Sequence, residues 1–108
     1  MTTPISTRES SNRVSITSRV TSSGVIAIMR HTEASLAIDA ARALLAGGVN
    51  VVEVTMNTSG ALGMIAALAQ AMGDAMLLGA GTVLTANSVD DAVAAGARFV
   101  VAPNTSLE

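Results

Sequence analysis

One carboxylate in this sequence stands inside an apolar run, which is a costly place for a charge. Glu53 lies between Val52 and Val54 in the run Val51–Met56. Burial of a carboxylate raises its pKa toward the neutral range in which a general acid or base works. The sequence therefore predicts a proton-transferring carboxylate at Glu53, and a structural ion pair with Arg30 is the alternative.

Arg30 ends the preceding apolar run, Val25–Met29, on the face of Ile26 and Ile28. Its guanidinium could bind a carboxylate or phosphate in bidentate fashion, whereas the alternative is an exposed charge at a strand end. If the two runs are neighbouring parallel strands, Arg30 and Glu53 both approach the carboxyl end of the sheet. The sequence therefore predicts that they share one site.

Gly79, Ala80, Gly81 and Thr82 follow one another at the end of a third apolar run. Two glycines allow a ligand to approach the backbone, and free N–H groups with a hydroxyl can hold a carboxylate. A tight turn that needs glycine for its dihedral angles is the alternative. Asn57, just after the second run, either contacts a substrate or caps the following helix.

The elements that position these residues repeat along the chain. Four short apolar runs begin at residues 25, 51, 76 and 99, at a spacing of about 25 residues, and amphipathic helices are predicted between them over residues 33–46, 60–72 and 88–95. In the last of these, Asp90 and Asp91 are expected in the first turn. The apolar faces of the first two helices are expected to carry Leu36, Ala37, Ala40, Ala41 and Leu44, and Leu62, Ile65, Ala69 and Met72. A doubly wound sheet is the competing architecture, but the segment after Gly79 has Leu84 where a dinucleotide-binding loop needs its third glycine. The pattern favours an α/β fold, namely the first four strands of a (β/α)8 TIM barrel.

Composition excludes several classes of function. The net charge is −2, the six basic residues are scattered arginines, and Phe99 is the only aromatic residue, so nucleic-acid binding is not expected. The absence of cysteine and the single histidine, His31, argue against a metal site. No apolar run is long enough for a membrane span, and no membrane partner is expected.

The chain is expected to divide at residue 24. Residues 1–23 are rich in Ser and Thr and are predicted to form a polar leader with a short N-terminal helix, over about residues 11–22. An organellar transit peptide is the alternative. Residues 24–108 are predicted to form the half barrel, with the chain stopping at the start of a fourth helix, as in a fragment.

Five segments, in order and with compatible spacing, resemble the 2-keto-3-deoxy-6-phosphogluconate (KDPG) and 4-hydroxy-2-oxoglutarate (KHG) aldolase family. They are Gly24–Arg30, Leu45–Val49, Val52–Met56, Leu78–Leu84 and Ala95–Asn104. The resemblance implies a cytoplasmic class I aldolase without a cofactor, a carbon–carbon lyase in which a lysine forms a Schiff base with a 2-keto acid. The products implied are pyruvate and an aldehyde, and a homo-oligomer, a trimer in this family, is expected.

By position, the resemblance makes Glu53 the proton-shuttling carboxylate. It makes Arg30, Thr82, Gly81, Gly79 and Asn57 substrate-binding residues, and it adds Pro103, which matches a proline after the fourth strand. Asn57 replaces the basic residue frequent in the phosphogluconate enzymes, so a 2-keto-3-deoxy-6-phosphogalactonate substrate is an alternative. The family's lysine lies beyond residue 108, and this chain has no lysine, so the chain alone is expected to be inactive. A non-catalytic half barrel that serves as a binding or assembly module is the remaining alternative.

Overall fold

The computed structural model describes residues 15–30 and 33–105. The predictions for residues 1–14, for His31 and for the start of a helix after residue 105 lie outside these ranges. Within them, helical residues 15–23 (α1) precede alternating strands and helices. The strands are β1 (Ala27–Met29), β2 (Val51–Thr55), β3 (Leu77–Gly81) and β4 (Phe99–Val100), and the helices are α2 (Ala34–Ala46), α3 (Ala61–Met72) and α4 (Ala86–Ala95).

The strands form one parallel sheet in the order β1-β2-β3-β4. Each strand is followed by a helix that returns the chain to the start of the next, which is the connection that parallel neighbours require. This arrangement confirms the predicted first half of a (β/α)8 barrel.

The ladder aligns Ile28, Glu53, Gly79 and Phe99 across the four strands. Because residues in register share a face in a parallel sheet, these residues and their alternate neighbours define what we call the inner face. The other face, the outer face, carries the residues packed against the helices. They are Met29, Val52, Val54, Leu78 and Ala80.

Helix α3 supplies much of the cover of the outer face. Its buried residues are Ala61, Met64, Ile65 and Leu68, at the spacing of one helical face. Leu62, which the sequence pattern placed on the buried face, is 38% exposed. Ile65 is confirmed as a core residue at 0% exposure.

Two further details of the helices differ from the predictions. Helix α4 begins at Ala86, and the Thr85 hydroxyl caps it by accepting a hydrogen bond from the Ser88 N–H at 3.1 Å. Asp90 and Asp91 therefore lie in the second turn and not in the first. In α2, Ala37 and Ala41 are buried as predicted, whereas Leu36, predicted on the same apolar face, is 57% exposed. The small alanine side chains let the helix approach its neighbours closely.

None of the helices in the described part of the chain has the length and apolar content that crossing a membrane requires.

Candidate active site

Glu53 projects from the middle of β2 onto the inner face and lies against Gly81. A Cβ atom added to Gly81 would lie 2.6 Å from the Glu53 Cδ, so the carboxyl group occupies the space above this glycine. Glu53 is 8% exposed. The carboxyl group is thus held at the end of β3 rather than pointing into solvent.

Arg30 immediately follows β1, and its Cα belongs to the face of Ile28, which is the inner face. Burial raises the pKa of the Glu53 carboxyl above its ordinary value, and the positive charge of Arg30 lowers that pKa in part. Arg30 itself is exposed. The predicted pair therefore lies on one face of the sheet and is coupled electrostatically.

Both inner-face glycines have their open side covered by a side chain. The aromatic ring of Phe99 lies over Gly79, just as Glu53 lies over Gly81. The sequence left open a close approach by a ligand or a tight turn at these glycines, and in this structure the space above both is occupied by side chains of the protein. At Gly79 the small residue makes room for the ring, and at Gly81 it makes room for the carboxyl group.

Thr82 adopts φ 54°, in the left-handed region. A β-branched residue is strained there by about 1–2 kcal/mol, because its Cβ approaches the following carbonyl. Strain of this kind persists where surrounding structure holds the backbone, and it occurs frequently at binding sites. The Thr82 backbone is thus fixed directly beside the glycine that Glu53 covers.

Hydrogen bonds connect the ends of the strands into what we call the carboxyl edge, the segments that follow Met29, Thr55, Gly81 and Val100. The Met56 N–H donates to the Gly81 carbonyl at 2.8 Å, and the Val83 N–H donates to the Val101 carbonyl at 3.1 Å. Adjacent strand ends are therefore tied to each other, as a multi-strand site requires.

Asn57 and Pro103 lie further out along the carboxyl edge. Asn57 is exposed in the turn after β2, and Pro103 is exposed in the segment after β4. A cavity of about 460 Å³ opens next to Pro103, between this segment and the start of α4, and its lining includes Ala102, Asn104 and Thr85. Arg30 and Glu53 lie instead on the β1–β2 side of the edge.

Sequence reasoning missed a pair of buried hydroxyl groups beside the site. Thr55 and Thr58 are 1% and 5% exposed, and their Oγ1 atoms are 2.9 Å apart. The signal in the sequence that could have indicated this pair is Thr55. It is a polar residue two positions after Glu53, on the same face of an otherwise apolar strand.

Comparisons with known proteins show which family this chain resembles. The family model described as KDPG and KHG aldolase matches residues 16–108. A 2-dehydro-3-deoxy-phosphogluconate aldolase of Treponema pallidum is 52% identical over 67 residues, which cover 62% of this chain and 31% of that protein. The KHG/KDPG aldolase of Escherichia coli is 36% identical over 91 residues, covering 84% of this chain and 42% of that enzyme.

Among solved structures, KDPG aldolase from Legionella pneumophila, with pyruvate captured as a covalent carbinolamine, matches with a TM-score of 0.72 and 41% identity. The match covers 77% of this chain and 40% of that one. The chain thus spans about two fifths or less of the length of these relatives. The family model covers residues 16–108, which is most of the chain, and the protein belongs to the KDPG and KHG aldolase family.

Proposed function

We propose that this chain supplies the proton-transfer and carboxylate-binding half of the active site of a class I pyruvate aldolase. The observation that carries the proposal is the buried Glu53 carboxyl, which lies on the inner face against Gly81 and within the field of Arg30. The parent substrate is 2-keto-3-deoxy-6-phosphogluconate (KDPG) or 4-hydroxy-2-oxoglutarate. The 2-keto-3-deoxy-6-phosphogalactonate epimer remains the alternative because of Asn57.

In the proposed reaction, Glu53 acts as base and then as acid. With C2 held as an iminium on the parent's lysine, the carboxylate removes the proton of the C4 hydroxyl and the C3–C4 bond breaks. C4 leaves as the aldehyde, and the electron pair of the broken bond forms a C2=C3 enamine. Return of the proton from Glu53 to C3 gives the pyruvate iminium, which water hydrolyses to pyruvate and the free amine. A carboxyl whose pKa is raised by burial accepts and returns such a proton more readily near neutral pH than an exposed one.

Arg30, Gly81 and Thr82 would orient the substrate. A guanidinium binds the 1-carboxylate through two parallel hydrogen bonds, and its charge stays fixed throughout the reaction. The fixed backbone of Gly81 and Thr82 would place N–H and hydroxyl donors next to Glu53. Pro103 and Asn57 would shape the outer part of the site, and Gly79 supports it by seating Phe99.

The Schiff base itself needs a lysine amine, and the 108 residues contain none. Arginine cannot replace lysine, because its guanidinium stays protonated. The chain alone is therefore expected to be inactive. Incubation with labelled pyruvate and borohydride should give no labelled lysine adduct with the 108-residue chain.

A hybrid chain tests the proposal directly. Residues 15–105 would replace the matching part of the Legionella enzyme, so that the remainder of that enzyme supplies the amine. The hybrid should form the adduct and cleave KDPG. Glu53→Gln should lower kcat by about 10²–10⁴-fold, because the proton transfer is lost, whereas Arg30→Met should mainly raise KM.

Asp90→Asn, which changes an exposed carboxylate on α4, is the matched control and should leave both constants unchanged. An active hybrid in which Glu53→Gln keeps full kcat would contradict the proposal. Relative kcat/KM values for KDPG, its galactonate epimer and 4-hydroxy-2-oxoglutarate would decide among the substrates.

One observation favours a second function, a half barrel that serves as an assembly module. Ile28 and Val101, on the inner-face side of β1 and after β4, are 54% and 41% exposed. Such apolar exposure suits association, including the homo-oligomer that we also propose for the aldolase. A hybrid that folds but never reacts with pyruvate, with self-association in sedimentation velocity, would favour the module.

A further inference from the structure

A buried hydroxyl connects three segments of the carboxyl edge. The Thr55 Oγ1 donates a hydrogen bond to the Met29 carbonyl at 3.3 Å and lies 2.9 Å from the Thr58 Oγ1. Both threonines are among the buried polar residues of the described chain. Valine would fit the β2 position sterically and would avoid burial of a polar atom, so the hydroxyl requires an explanation.

We call the two hydrogen bonds Thr58–Thr55 and Thr55–Met29 the threonine relay. A threonine hydroxyl has one proton, and that of Thr55 is directed to the Met29 carbonyl. A bond from the Thr58 hydroxyl to the Thr55 oxygen is compatible with this direction, although either hydroxyl can be the donor. The relay joins the turn after β2, the end of β2 and the end of β1.

The two ends of the relay adjoin the residues that the proposed function uses. Met29 directly precedes Arg30, and Thr58 directly follows Asn57. Thr55 itself is two residues after Glu53, on the same face of β2. One hydroxyl thus fixes the backbone beside Arg30 and, through Thr58, the turn that carries Asn57.

We propose that Thr55 is a positioning residue, which holds Arg30 next to Glu53 and holds the Asn57 turn at the carboxyl edge. The choice of Arg30 and Glu53 as the pair that matters rests on the proposed function. The placement itself is a property of the folded 108-residue chain and can be measured without substrate. The proposal can therefore fail while the aldolase function stands, and the reverse is equally possible.

The test is a carbon-13 NMR titration of the Glu53 carboxyl in the 108-residue chain, with the signal assigned by its absence in Glu53→Gln. Arg30→Gln gives the reference, a rise in the Glu53 pKa when the nearby positive charge is removed. Thr55→Val, which keeps the shape and removes the hydroxyl, should raise the pKa toward that reference. Thr55→Ser should restore the wild-type value.

Two further variants separate positioning from general loosening. Thr58→Val leaves the Thr55–Met29 bond in place, so the Glu53 pKa should stay at its wild-type value. Hydrogen exchange should become faster at the amide of residue 58, which donates to the Thr55 carbonyl at 3.0 Å in the turn that carries Asn57. Thr85→Val removes a hydroxyl at the distant cap of α4 and should change neither quantity. A wild-type Glu53 pKa in Thr55→Val, with the fold intact by circular dichroism, would overturn the proposal, and so would a raised pKa in Thr55→Ser.

Discussion

The two faces of the sheet come from alternate residues of the same strands, yet they bury different kinds of side chain. The outer face carries aliphatic side chains against α3, whereas the inner face carries a carboxyl group and a phenyl ring over glycines. Packing of the first kind stabilises the fold, because apolar area leaves water without unpaired polar atoms. Packing of the second kind holds one carboxyl group in place at a cost in desolvation. The outer face therefore stabilises the fold, whereas the inner face carries the residues of the proposed site.

The largest effect is expected on the outer face. Ile65→Ala removes a fully buried side chain of α3 and should lower the free energy of unfolding by about 2–5 kcal/mol. Leu62→Ala, three residues earlier on the same helix and 38% exposed, is the control and should cost under about 1 kcal/mol. Urea denaturation measures both. Equal losses would mean that α3 does not pack on the sheet through the face described.

On the inner face, the two glycines should respond differently to alanine. Gly79→Ala would place a methyl group inside the Phe99 ring, and its cost should be about 1–3 kcal/mol. Gly81→Ala meets the end of the flexible Glu53 side chain, which can move aside, so its stability cost should be smaller. The pKa of the displaced carboxyl should then fall toward its ordinary value, because the group is less buried. Thermal unfolding and the Glu53 titration test the two expectations, and a larger stability loss for Gly81→Ala would contradict them.

Gly63, on the exposed side of α3, should respond to alanine with a gain in stability instead of a loss. Gly63 lies within the helix, is exposed, and an added Cβ would meet no atom within 4 Å. Gly63→Ala should stabilise the chain by about 0.4–1 kcal/mol, because it restricts the unfolded state. Gly96→Ala is the contrast: its φ of 122° and a 2.7 Å approach to the Ala69 Cβ should make it destabilising. A loss of stability in Gly63→Ala would show that this side of α3 is packed.

The last prediction concerns the dependence of stability on pH. Because the folded-state pKa of Glu53 is raised, its protonated form stabilises the fold below the unfolded pKa of about 4.5, and this contribution is lost as the pH rises through the folded pKa. Wild type should therefore lose stability relative to Glu53→Gln as the pH rises above about 4.5. Urea denaturation of both proteins at several pH values measures the difference, with Asp90→Asn as the baseline. A difference that stays constant, or that changes in favour of wild type, would contradict burial of the carboxyl.

The sequence was sufficient to predict β2, β3 and the side on which Glu53 lies, because alternation in a short apolar run leaves few choices. It was less exact for β1, which begins at Ala27 and not at Val25. The ladder aligns Ala27 with Val52, so Val25 would lie opposite Asn50, which precedes β2 and offers no strand residue to pair with. Pairing with β2 thus limits how far β1 extends, and this information is not local.

Hydrophobic periodicity could not predict which side chains pack between neighbouring helices and strands. Leu36 and Ala37 lie on adjacent faces of α2, and the hydrophobic pattern is compatible with burial of either face. The structure buries the smaller residues, since close approach of helices favours alanine. The filling of the glycine spaces by Phe99 and Glu53, and the threonine relay, likewise depend on contacts between strands that are distant in sequence.

Phe99 is the one aromatic side chain in the chain, and it lies on Gly79, in register with Glu53. Fluorine-labelled phenylalanine would therefore give a single resonance without background from other positions. Its chemical shift would report on the interior surface of the half barrel throughout a titration. Occupancy of that surface by a small molecule or by another polypeptide could then be followed directly, with no engineered label site.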